Sequence, residues 1–103
     1  MKYYRIEEIK AANRQAGQYF FEPDTMRFFR SRVHYPSYCG PGGVFFVTSE
    51  KYENRYSGTS MPRMFTIRKF DPATGNVDSV SEFQEFKVRS TAHRAAKRLS
   101  KLE

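Results

Sequence analysis

The last fourteen residues, 90–103, constrain this chain most, because two stripes of opposite character run along them at helical spacing. On a 3.6-residue wheel Ala92, Ala95, Ala96, Leu99 and Leu102 share one side, and Arg94, Lys97, Arg98 and Lys101 share the other. A helix of this kind docks through its small apolar side and leaves its cations in water, so the rest of the chain must offer it a flat apolar surface. Ser90 is the expected N-cap. The chain carries eighteen Lys and Arg against eleven Asp and Glu, a formal charge of +7. Both halves share the excess, but from Lys87 to Lys101 there are six cations and no acid. An anionic partner is therefore the first binding class to consider, beside the plainer reading of a solvated helix face.

A length of 103 residues suits one domain, 1–103, folding without disulfide or metal staples. Ten Phe and seven Tyr make its core aromatic, and each buried ring removes about 150–250 Å² from water. The single cysteine, Cys39, rules out an intrachain disulfide and favours a reducing compartment. No apolar run reaches membrane-spanning length, and Met1-Lys2-Tyr3-Tyr4-Arg5 lacks the apolar region of a secretory signal. The expected setting is cytoplasmic, away from membranes.

The spacing of Ile6, Ile9, Ala12 or Asn13, and Ala16 predicts a helix over 4–16, with Gly17 as its stop. Pro23, Asp24 and Thr25 predict a short helical turn over 25–29, competing with a strand over 26–33; the turn leading into a strand near 30–35 is preferred. Pro36, Gly40, Pro41, Gly42 and Gly43 read as a loop. Val44 to Thr48 is the best central strand, and the polar stretch 50–60 reads as a loop without periodicity. A strand over 64–70, a turn at 71–76 and a returning strand over 77–80 form a hairpin. Phe83 and Phe86 are expected to pack where the chain crosses into the terminal helix. The order implies an α+β fold: a three- to four-stranded antiparallel sheet with the N- and C-terminal helices packed on one face.

Catalytic and metal chemistry finds little support. His34, His93 and Cys39 are too few and too scattered for a metal cluster, and no nucleophile elbow or cysteine-enzyme signature is present. An enzyme would need a pocket joining Cys39 or a carboxylate to His34. The pairs Glu7-Glu8 and Glu82-Glu85 read as solvated charge. Gly40-Pro41-Gly42-Gly43 precedes a strand rather than opening a helix and lacks the following Lys, so it reads as a turn and not a phosphate cradle. Gly43-Val44-Phe45-Phe46-Val47-Thr48 echoes the aromatic strand of an RNA-recognition motif but lacks its basic residue and terminal aromatic, which leaves Phe45 and Phe46 to the core. Arg27, Arg30 and Arg32, with Phe28, Tyr35 and Tyr38, form a second strip suited to phosphate and stacking contacts, or equally to a protein interface.

Phe21-Glu22-Pro23-Asp24-Thr25-Met26-Arg27-Phe28-Phe29-Arg30-Ser31-Arg32, Phe46-Val47-Thr48-Ser49-Glu50 and Phe83-Gln84-Glu85-Phe86 resemble, in order, small uncharacterised proteins of bacteriophages and related mobile elements. The resemblance implies a bacterial host cytoplasm during infection and carries over no functional residue. Short phage proteins of this kind often act by binding, some as inhibitors of CRISPR effectors or restriction enzymes; the charge balance excludes an acidic DNA mimic.

The sequence thus leads to a non-catalytic module that binds nucleic acid or a nucleoprotein. Arg94, Lys97, Arg98 and Lys101 carry the contact, Lys87 and Arg89 extend it, and Arg27, Arg30 and Arg32 add a second strip. The alternative is a protein inhibitor of a bacterial defence system, of anti-CRISPR or anti-restriction type, using Phe28, Tyr35, Tyr38 and the loop 51–60. Neither reading calls for a cofactor, a metal ion or a membrane, and the oligomeric state stays open.

Overall fold

Among the described residues two helices and six strands follow one another as α1 (Ile6–Gln15), β1 (Arg32–Gly40), β2 (Gly43–Glu50), β3 (Glu53–Asn54), β4 (Thr59–Ser60), β5 (Met64–Phe70), β6 (Val77–Val80) and α2 (Arg89–Lys101). The computed structural model describes residues 5–22, 31–51, 53–54, 59–60, 63–80 and 85–102. The expected turn at 25–29, with Arg27, Phe28 and Arg30, and the expected contact of Phe83 lie outside the described residues.

β2 organises the molecule. Its aromatic and β-branched run forms an inner strand of an antiparallel sheet ordered β1-β2-β5-β6, and every residue from Val44 to Glu50 is buried. Alternation sends Val44 and Phe46 to one face and Phe45 and Val47 to the other. On the first face they meet Ile6 and Ile9 of α1 together with Phe21 and Phe70. On the second they meet Ile67 and the Ala92 and Ala96 of α2. The fold class is α+β as expected, but the two helices cover opposite faces of the sheet and not one. A strand apolar on both sides needs a cover on both sides, and each helix supplies one.

The register explains which side chains meet. β2 runs against β5 from Val44↔Phe70 to Glu50↔Met64, and β5 against β6 from Ile67↔Val80 to Phe70↔Val77. The bounds of β5 and β6 are those the sequence predicted. Their turn is closed by Asp71, whose side chain accepts from the Ala73 amide (2.9 Å) and the Thr74 hydroxyl (3.1 Å). Phe86 pairs its backbone with Phe65 at 2.7 and 3.0 Å before the chain enters α2.

Three local expectations are corrected. β1 continues through Pro36 to Gly40 where a loop was expected, and its register shifts between His34 and Tyr38 so that Tyr35, Pro36 and Ser37 stand opposite Phe46 alone. Such an irregularity on an edge strand accommodates a residue that has no amide to donate. The stretch 50–60 is not a featureless loop, since Glu50 closes β2 and β3 pairs with β4 through Glu53↔Ser60 and Asn54↔Thr59. α1 ends at Gln15 and leaves Ala16 exposed, whereas Asn13, one of the two alternatives expected on the inner face, is buried there and its amide donates to Gly75 O at 2.7 Å. Gly17, at φ +79°, is the expected left-handed stop.

Candidate nucleic-acid interface

α2 lies on its face of the sheet because small side chains let it approach closely. Ala92 and Ala96 are fully buried against Phe45, Val47 and Ile67, with Ala95 and Leu99 partly buried at the margin. At its far end the turn after β1 comes up beneath it, and the Gly42 amide donates to Ser100 O at 3.0 Å. Ser100 itself is buried, its hydroxyl donating to Lys97 O at 2.7 Å. Leu102, expected on the docking side, follows the helix and is exposed; Ser100 holds the position instead. A serine that returns its hydroxyl to the preceding turn can be buried without an outside partner.

The opposite side is basic. Arg94, Lys97, Arg98 and Lys101 are all exposed, and at about 100° per residue they occupy an arc of about 100° centred opposite Ala92 and Ala96. Among the described residues none of the four forms an ion pair. Lys87 and Arg89 are exposed where the chain enters the helix, and Arg32 is exposed at the start of β1. The first turn of α2 holds no acid, and its N-cap is Val88 rather than Ser90, with no side-chain cap.

Arg89 is tied to the protein as well as facing solvent. Its guanidinium donates to Tyr35 O and to His93 Nε2, each at 3.4 Å. With Nε2 accepting, neutral His93 carries its proton on Nδ1 and donates it to the Tyr38 hydroxyl at 2.9 Å. Tyr38 also packs on the Phe45 cluster and is half-buried, so it braces β1 against α2. Tyr35, by contrast, is 48 % exposed. Phe28, Arg27 and Arg30 lie outside the described residues, so the second basic strip is represented by Arg32.

From sequence the two histidines are weighed only as metal ligands or, for His34, as a base, and not for the contacts they make. His34 Nε2 lies 2.7 Å from Ser49 Oγ, which also accepts from Arg63 at 3.0 Å. Burial, then Arg89, His93, Arg63 and Arg32, hold His34 below the ordinary imidazole value of 6.5. Burial and Arg89 do the same to His93. Unfolding frees both rings to protonate more readily, so their contribution to stability is complete above pH 6.5 and is lost as the pH falls through their lower folded values. The expected result is a melting temperature that drops between pH 7.5 and 5.5, and a smaller drop in the doubly substituted His34→Gln, His93→Gln protein, measured by circular dichroism. Equal drops would remove the histidines as the cause.

Cys39 and His34 stand on opposite faces of the sheet, Cys39 packing with the α1 cluster and His34 facing the α2 side beside Ser49 and Phe65. The nucleophile and base of the imagined enzyme are therefore not brought together. Phe45 and Phe46 are buried, so neither ring is available to stack on a base. Among the described residues no group of three or more His, Cys, Asp or Glu gathers to hold a metal ion, and no helix is long and apolar enough to cross a membrane.

No curated protein and no solved structure matches this chain. Residues 5–97, which take in α1, the whole sheet and most of α2, fit the model of a family of unknown function (DUF7447), and the chain belongs to that family.

Proposed function

We propose that the protein is a non-catalytic module that binds nucleic acid, alone or within a nucleoprotein, through the outer side of α2. The observation that carries this reading is the disposition of Arg94, Lys97, Arg98 and Lys101, exposed together on a helix whose other side is locked to the sheet. A docked helix holds its cations in register without further ordering, and the absence of acids from Lys87 to Lys101 keeps the local field of one sign. Arginine adds two-pronged contact with phosphate oxygens. In this reading the protein serves as an accessory of a bacteriophage or mobile element in the bacterial cytoplasm, the setting its resemblance implies.

Fluorescence anisotropy with labelled oligonucleotides across a salt series tests it. Affinity is expected to fall with salt at a slope of about 0.7–0.9 per phosphate contacted. Charge reversal at Arg94, Lys97 and Arg98 is expected to lower that slope by about two to three without unfolding the protein. A flat salt response, or unchanged affinity in the triple variant, rejects the proposal. A nuclease-resistant, stoichiometric complex with one bacterial protein would favour the inhibitor reading instead.

A further inference from the structure

We infer that the groove between the irregular stretch of β1 and the start of α2 accepts an unpaired nucleobase, so that the preferred ligand is single-stranded nucleic acid; this rests on the phosphate-binding reading of α2. The groove has a volume of about 510 Å³, and its walls include Tyr35, Tyr38, Val88, Arg89, Ser90 and His93. That size is within the range of clefts that receive flat small molecules. Two of its walls are exposed apolar surface, Tyr35 at 48 % and Val88 at 55 %. Tyr38 is held by His93, so its ring is anchored at its tip before any ligand arrives.

Charge decides what belongs there. The lining carries the Arg89 guanidinium and no carboxylate, and Glu7, which bears on the Tyr35 hydroxyl, belongs to α1 and is not among the walls; this favours an aromatic group attached to an anion over an aliphatic or acidic-face partner. The groove is also continuous with the cationic stripe. Ser90, on its wall, stands within about 40° of Arg94, Lys97 and Lys101 on the helix wheel, and the stripe from Ser90 to Lys101 runs about 16 Å along the axis. A strand whose base enters beside Tyr35 would therefore send its phosphates along Arg94 and Lys97. Paired bases cannot enter, because their faces are already stacked within the duplex.

The test compares three labelled probes by anisotropy: an oligothymidylate, its duplex with oligoadenylate, and an abasic oligomer of the same length. The oligothymidylate is expected to bind about tenfold more tightly than either of the others, and Tyr35→Ala to bring its affinity down to that of the abasic oligomer. Val88→Asp serves as the second variant. Aspartate supplies the cap that α2 lacks and should raise the melting temperature, while its charge at the groove weakens oligothymidylate binding; opposite signs in one variant exclude unfolding as the cause. Equal binding of the three probes, with sensitivity to charge reversal at Arg94, Lys97 and Arg98 retained, overturns the base site and leaves the helix reading standing. Failure of all three probes to bind overturns both.

Discussion

Glu50→Ala is expected to destabilise the protein by about 3–5 kcal/mol, the cost typical of removing one partner from a buried ion pair. Glu50 closes β2 and is fully buried. Its Oε1 accepts from the Thr66 hydroxyl at 2.7 Å, from Arg68 at 3.2 Å and from the Thr48 hydroxyl at 3.4 Å. Arg68 is 14 % exposed at its side chain, donates to Thr48 Oγ1 at 3.0 Å and lies over the Phe20 ring at 5.3 Å. Burial pushes the Arg68 guanidinium below its ordinary value, and Glu50 is what opposes that push. Without Glu50 a desolvated cation loses its counter-charge, and two buried hydroxyls lose an acceptor. Urea unfolding is the measurement. Glu50→Gln, which keeps an acceptor but not the charge, should lose less, and the double replacement Glu50→Leu, Arg68→Leu should recover much of the loss. A loss below about 1 kcal/mol in Glu50→Ala would mean that the pair contributes little.

The same network separates stability from binding. It sits on the α1 face, with Thr48, Thr66 and Arg68, whereas the cations of α2 lie beyond the other face. Folded Glu50→Gln protein should therefore bind oligonucleotide as the native protein does, and charge reversal on α2 should leave the urea midpoint nearly in place. Two variants with crossed outcomes of this kind test the layer arrangement as well as the function.

How much of this was legible in the sequence depended on how local the cause was. The hairpin of β5 and β6 was read to the residue because Pro72, Gly75 and the Asp71 cap act within six positions. The basic and apolar stripes of α2 were legible for the same reason, since 3.6-residue spacing is a local property. The side of the sheet that each helix covers was not, because β2 is apolar at successive positions and alternation is silent there. The signal was nevertheless present: a strand rich in large side chains at Val44, Phe45, Phe46 and Val47 demands cover on both faces. Glu50 was read as the start of a polar loop because its burial depends on Arg68, which stands beside it only after β2 and β5 have paired. The bracing contact of His93 was missed for a similar reason, since its partner Tyr38 is 55 residues away in sequence. Pro36 read as a loop residue because sequence does not disclose which strand will lie at an edge.

Gly42→Ala is expected to cost about 3 kcal/mol, near the upper end for overpacking a tight contact, and to weaken oligonucleotide binding with it. A Cβ at Gly42 would run into the carbonyl oxygen of Leu99 and come within 2.6 Å of that of Leu102, and a Cβ at Gly40 would strike the carbonyl of Ser100. These are backbone atoms, so no rotamer change relieves the clash; the end of α2 must lift or the turn must retreat. Either movement strains the Gly42 amide to Ser100 O bond and loosens the seat that keeps Lys97, Arg98 and Lys101 in register. Gly17→Ala is the matched control. Nothing lies within 4 Å of its added methyl, so it pays only for a left-handed backbone at φ +79°, about 1–2 kcal/mol, and should leave binding by the folded protein intact. Urea midpoints and anisotropy on both variants separate the two effects. Equal binding by folded Gly42→Ala and Gly17→Ala proteins would show that phosphate contact does not need α2 held at this distance from the sheet, and would take away the reason for treating the docked helix as a preorganised site.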